Sequence, residues 1–143
     1  MDGIKRLFSG MHAASTGLSA ERMRIDVIAR NIANAQTTRT PGGGPFRRQV
    51  VYFEPLLQRQ ADGSQITAGV QVSGLGEDYS TPFERIYDPS HPDADGEGFV
   101  SMPNVNATRE MADLISAVRA YEANLSVQES FLQMAERALR LAQ

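Results

Sequence analysis

The chain contains no cysteine and no tryptophan. The first absence excludes disulfides, thiolate metal sites and cysteine nucleophiles. The second, with aromatics at only 7% of the residues, predicts a thin core built largely by long helices. No apolar run reaches the 18 or so residues of a membrane span, so no direct membrane insertion is expected. No apolar segment of signal-peptide length follows Lys5 and Arg6 either, because polar residues interrupt from Ser9 through Ser19. Any export is expected to proceed without a cleaved signal peptide. Catalytic patterns are also missing: there is no G-x-S-x-G, no phosphate loop and no G-x-G-x-x-G. Gly42-Gly43-Gly44 is flanked by Pro41 and Pro45, with no Lys-Ser/Thr after it, and reads as a turn. The two histidines, His12 and His91, lie in different regions. These observations predict a protein that is not an enzyme.

One acidic cluster resembles a cation loop. His91, Asp93, Asp95 and Glu97 alternate, and Gly98 follows. Asp93, Asp95, Glu97 and Gly98 match the first, third, fifth and sixth positions of a Ca²⁺ loop, but Asn104 stands where a bidentate Glu is required. The segment is expected to be an acidic turn with no metal and no cofactor.

Charge is unevenly spread. Residues 1–50 carry eight Lys/Arg against three Asp/Glu, whereas residues 51–143 carry six against fourteen, which makes the first part net +5 and the remainder net −8. A basic arm can serve nucleic acid, but here the cations are dispersed and not interleaved with aromatics, so no nucleic-acid partner is expected. The arm equally suits a face that meets the acidic part of its own or a neighbouring chain.

Three regions divide the chain at 1–36, 37–104 and 105–143. In the first, a heptad places Ile4, Met11, Leu18, Ile25 and Ile32 in one row and Leu7, Ala14, Glu21, Ile28 and Ala35 in another, nine of ten apolar. Gly10 and Gly17 weaken its first half as an isolated helix by roughly 1 kcal/mol each, so that half is expected to need a partner. The last region repeats the pattern with Met111, Val118, Leu125, Leu132 and Leu139 in one row and Leu114, Tyr121, Gln128, Ala135 and Ala142 in the other. Asn106 is the expected N-cap, and Glu110 sits in the first turn where the helix dipole favours an acid. The middle region holds nine of the twelve glycines and all seven prolines, and is therefore read as turns and short strands. Strands are expected from Arg48, limited by Pro55, over Ile66–Leu75, and near Phe83–Tyr87.

The expected fold is thus α+β: long terminal helices pairing antiparallel as a coiled coil, with a small Gly/Pro-rich β module between them. Pairing row against row puts Ile4 against Ala142, Leu18 against Gln128, Glu21 against Leu125 and Ile32 against Leu114. The two polar seam residues, Glu21 and Gln128, then lie in adjacent layers.

The stretches GLSAERMRIDVIARNIANAQTT (17–38) and RAYEANLSVQESFLQMAERAL (119–139) resemble the N- and C-terminal signatures of the flagellar rod and hook axial proteins. GGPFRRQVVYF (43–53), YDPSHPDADGEGFVSMPNVN (87–106) and EMADLISAVRAYEAN (110–124) resemble the proximal-rod members of that family. Arg39 follows Thr37-Thr38 where the wider family has Gly-Phe, which also favours the proximal-rod type. The resemblance implies family-motif roles for Asn31, Ala33, Asn34, Thr37, Asn104, Tyr121, Ala123 and Asn124. It implies a structural subunit of a hollow drive shaft that transmits torque and lets export substrates pass. It implies assembly with copies of itself and with rod subunits of the FlgB, FlgF, FlgG and FliE types. Finally, it implies delivery by the flagellar type III export apparatus to a rod crossing the periplasm.

Overall fold

The computed structural model describes residues 2–59 and 65–141. Helix α1 runs Asp2–Ala33 and helix α2 runs Ala107–Leu141. Between them lie two antiparallel hairpins: a long one made by β1 (Gln49–Arg59) and β2 (Gln65–Glu77), and a short one made by β3 (Glu84–Tyr87) and β4 (Phe99–Met102). The architecture is α+β.

The helix ends follow from their sequences. Asn106 caps α2: its Oδ1 accepts the Arg109 N–H at 3.0 Å and its carbonyl accepts the Glu110 N–H at 2.9 Å. At the end of α1 the Asn34 amide turns back to donate to the Arg30 carbonyl at 2.9 Å, and the Thr37 hydroxyl donates to Asn34 Oδ1 at 3.1 Å. These bonds occupy groups that a terminating helix leaves open.

Pro55 does not stop β1. It pairs with Val70 between two register shifts, at Tyr52/Phe53 and Leu56/Leu57. Each strand of a two-stranded ribbon has an open edge, so a residue without an N–H costs nothing when it points outward. β4 was not anticipated, because four residues are too few to display an alternation.

α1 and α2 pack antiparallel. Gly10 lies under the Phe131 ring, so close that a Cβ there would sit 2.5 Å from Cζ. Gly17 faces the Asn124 amide, where a Cβ would sit 3.0 Å from Nδ2. Asn31 meets Glu110, donating from Nδ2 to Oε2 at 3.0 Å. Steps of seven or fourteen up α1 are therefore answered by equal steps down α2. The expected register is shifted by five residues, about 7.5 Å, since it placed residue 129 where Asn124 stands. Ile32 is accordingly not level with Leu114, nor Leu18 with Gln128, and Glu21 lies level with Ala120. The cause is steric: the two glycines are the sites where the helices approach, and only residues without a side chain admit Phe131 and Asn124.

The inward rows differ from the expected ones in the same way. On α1 the seam runs through Gly10, Ala14, Gly17, Ile28 and Asn31; on α2 it runs through Glu110, Leu114, Ala117, Tyr121, Asn124, Gln128, Phe131 and Ala135, all buried or half-buried. Met111, Val118, Leu125, Leu132 and Leu139 lie one residue further on, about 100° round the helix. They are 37% (Val118) to 69% (Leu139) exposed. Met11, Leu18, Ile25 and Ile32 bear the same relation to the α1 seam and are half-buried. In an antiparallel pair, rows displaced in the same sense from the seam fall on the same side, so the two apolar rows share one open face. The side chains of Ile4 and Leu7, and Ala142, lie outside the described residues.

The long hairpin covers the other side of α1. Ala20 and Val27 are buried there, and the Val70 N–H donates to Thr16 Oγ1 at 3.2 Å. The buried apolar residues are few and small: Ala14, Ala20, Val27, Ile28, Ala68, Val100 and Ala117. No described helix is long and apolar enough to cross a membrane.

The glycine contacts yield a test. At an exposed helical position Gly→Ala gains about 1 kcal/mol. Gly10→Ala is expected to lose about that much instead, because the Phe131 ring must move. Combining it with Phe131→Leu should recover the loss. Urea unfolding of the two single variants and the double variant measures the coupling, and additive effects would refute the contact.

Candidate assembly interface and the polar node behind it

The most deeply buried large side chains are Glu110, Val100 and Asn31. Two of the three are polar, and they belong to one network. Glu110, 1% exposed, accepts from Asn31 Nδ2 at 3.0 Å and from Arg48 Nε at 2.7 Å. Asn31 also binds the start of β1 twice, donating to the Gln49 carbonyl and accepting its N–H, each at 2.9 Å. Asn104 works similarly on the preceding residue: its Oδ1 accepts the Arg48 N–H at 2.7 Å, and its Nδ2 donates to the carbonyls of Asp78 and Thr81 at 2.9 and 3.0 Å. One carboxylate and two amides thus join the end of α1, the base of the long hairpin, the approach to α2 and its first turn. Without them Arg48 and Gln49 would leave part-buried backbone groups unsatisfied.

Asp78 sits at the same base of the hairpin, its N–H donating to the Arg48 carbonyl at 2.8 Å. Its carboxylate accepts from the Ser80 N–H and hydroxyl at 2.9 and 2.6 Å and from the Thr81 N–H and hydroxyl at 3.2 and 3.0 Å. The Ser80 and Thr81 hydroxyls pull its pKa down to about 2 from an ordinary 3.8.

Other family-motif positions serve the same joints. Asn34 and Thr37 shape the exit from α1, where the Phe46 N–H also donates to the Thr37 carbonyl at 2.9 Å. Tyr121 and Asn124 face α1, whereas Ala33 and Ala123 are exposed. Sequence reasoning saw Glu110 only as a helix-start acid and did not single out Arg48, Gln49 or Asp78. A buried ion pair 62 residues apart leaves no local pattern.

The acidic turn is occupied by the protein's own donors. Asp93 pairs with Arg39 at 3.2 Å and accepts the Thr38 hydroxyl at 2.7 Å. Asp95 pairs with Arg85 at 2.6 Å. The Phe99 N–H, with that of Glu97 and with Arg85, holds the Asp95 carboxyl below its usual range. His91 Nδ1 accepts the Asp93 N–H at 3.1 Å. Among the described residues no three His, Asp or Glu side chains converge as a metal site.

The node fixes the angle between the hairpin and the helix pair, and the opposite side of that pair is the open apolar face. It combines Met111, Val118, Leu125, Leu132 and Leu139 with Ile115, which is also exposed. Large apolar side chains exposed together along one helix flank make this face the candidate interaction surface. Among the described residues the geometry shows an open apolar flank and no cluster of metal-ligating side chains.

Residues 11–39 match the family described as "Flagella basal body rod protein", and residues 97–141 match "Flagellar basal body rod FlgEFG protein C-terminal". Among curated proteins, the chain is 46% identical to a flagellar basal-body rod protein FlgC of Borreliella burgdorferi, over 96% of this chain and 98% of the relative. It is 38% identical to that of Bacillus subtilis, over 94% and 97%. It is also 38% identical to that of Salmonella typhimurium, over 91% and 93%.

Two outcomes are expected from the node. Arg48→Ala strands a buried carboxylate and should cost about 3 kcal/mol. Adding Glu110→Gln should return part of it, as read by urea unfolding of the single and double variants. For Asp78, the folded pKa lies below the unfolded one. Its contribution is therefore complete above about pH 4 and is lost as pH falls through about 2. Thermal melting should show a steeper loss between pH 4 and 2 in the native chain than in Asp78→Asn.

Proposed function

The chain belongs to the FlgC family of flagellar basal-body rod proteins, and on that premise we propose that it polymerises through the open face of its terminal helices. Members of this family are structural subunits of the basal body and not enzymes. In the proposed assembly, α1 and α2 pair in coiled-coil fashion as the axial unit, and the region 37–104 forms an outer module. The resulting wall is hollow, transmits torque and lets export substrates pass. Its neighbours are copies of itself and rod subunits of the FlgB, FlgF, FlgG and FliE types. It reaches its place in the rod, crossing the periplasm, through the flagellar type III export apparatus without cleavage of a signal peptide.

The observation that carries this reading is the exposure of Met111, Val118, Leu125, Leu132 and Leu139 on one flank of α2. These five side chains still expose about a third to two thirds of their surface, and a neighbouring helix that buries the remainder gains roughly 0.5–2 kcal/mol for each. Ile4, Leu7, Met11, Leu18, Ile25 and Ile32 on the first helix complete the proposed assembly seam, whereas Ile28, Leu114 and Tyr121, expected in it, turn inward and hold the two helices together. The resistance of a rod to slippage under torque fits close-packed interfaces of this kind, which deform little.

Leu125 supplies the test, because it is exposed in the free chain. Leu125→Asp, at a position 41% exposed, should lower monomer stability by only about 1 kcal/mol. It should nevertheless exclude the subunit from purified basal bodies and abolish motility. A motile strain carrying Leu125→Asp together with Leu132→Asp would overturn the reading.

A further inference from the structure

The side of the helix pair that carries the long hairpin is under-filled. Two clefts lie along α1 there. One, of about 470 Å³, has Ala13, Gly17 and Ala20 as its floor, Val70 on the hairpin side and Asn124 on the α2 side. The other, of about 340 Å³, lies between Val27 and Ile28 of α1 and Val50 and Val51 of β1. Phe53 stands between the two, lining both, and is itself exposed. Val127 and Met134 follow Leu125 and Leu132 by two residues, about 200° round the helix. They are therefore exposed on the cleft side, across the seam from the leucine row. The chain thus carries two apolar surfaces on opposite sides of the helix pair, a ridge of leucines and a pair of hollows.

We propose, resting on the assembly reading above, that the ridge Leu125–Leu132–Leu139 of one copy seats in the two clefts of a second copy. The lengths agree: the ridge spans about 21 Å, and the α1 floor from Ala13 to Ile28 about 22 Å. A row of apolar knobs over a row of hollows is how helices interlock. The charges agree as well. Glu122, Glu129 and Glu136 each precede a ridge leucine by three residues, are exposed, and take no part in the ion pairs among the described residues. Arg24 lines the smaller cleft with its nearest carboxylate 3.8 Å away, and Arg30 donates to the neutral Gln49 amide beside it. A second copy is the occupant because of symmetry. Ridge against ridge is a surface meeting itself, which closes as a pair. Ridge into hollow makes each copy donor to one neighbour and acceptor for another, the contact that a continuing wall of copies requires.

Because the chain has no cysteine, an introduced pair reports on this contact. Leu132 is the middle of the ridge and Phe53 divides the clefts, so the two meet whichever way the ridge runs. They cannot join within one copy, being on opposite sides of the helix pair. Oxidation of purified basal bodies carrying Phe53→Cys and Leu132→Cys together should give a ladder of linked copies, dimers and larger, and neither single variant should link. Phe53→Asp should lower incorporation into basal bodies at least about tenfold, the effect of losing a central aromatic contact. Dimers from Leu132→Cys alone would mean ridge against ridge and overturn the proposal. A link from the cleft to a different rod subunit, identified by mass spectrometry, would overturn it too. Absence of the ladder alongside exclusion of Leu125→Asp would overturn the seating and leave the assembly reading standing. Normal incorporation of Leu125→Asp would remove both.

Discussion

The buried carboxylate of Glu110 is the constraint on which the remainder of the architecture depends. It sits in the first turn of α2 and is held by Asn31 from the end of α1 and by Arg48 from the base of the long hairpin. An acid so enclosed is tolerable only while both donors are present. Its position therefore dictates where α1 ends relative to α2 and where β1 must begin. The apolar core could not impose this alone. Its buried members are mostly alanine and valine, and small side chains pack acceptably in several registers.

From that fixed end the helices run together toward Gly10 and Phe131. Away from the node, the seam is held by small and polar residues rather than by the strongest apolar rows. Gly17 against Asn124 and Ala117 beside them bring the backbones close, and the bulky rows are left to the flank. A subunit that buried Leu125 and Leu132 internally would be a more stable monomer with less to offer a neighbour. The observed arrangement divides the labour: a polar node and close glycine contacts give the subunit its shape, and the apolar rows are left on the open flank.

The hairpins show a related economy. The long ribbon lies along α1 through Ala20, Val27 and Thr16, and carries Tyr52, Phe53, Leu57 and Leu75 exposed. A two-stranded ribbon is marginal on its own, so its support comes from the helix beneath and from Asn31 and Asn104, which satisfy the backbone at its base.

Much of this was legible in the residues. The seven-residue repeats announced both helices, Asn106 announced the start of the second, and the concentration of glycine and proline announced turns and short strands between them. The quoted terminal stretches carried the family. Each of these signals is local: a repeat states which residues share a face, and a cap states where a helix begins. What no local pattern states is which face meets which partner. The repeats are compatible with Met111–Leu139 facing inward or outward, and with registers five residues apart. Only the tertiary structure chose, through contacts between residues far apart in the chain: a ring that fits over a missing side chain at Gly10, and a carboxylate at Glu110 that accepts one register because only there do Asn31 and Arg48 reach it.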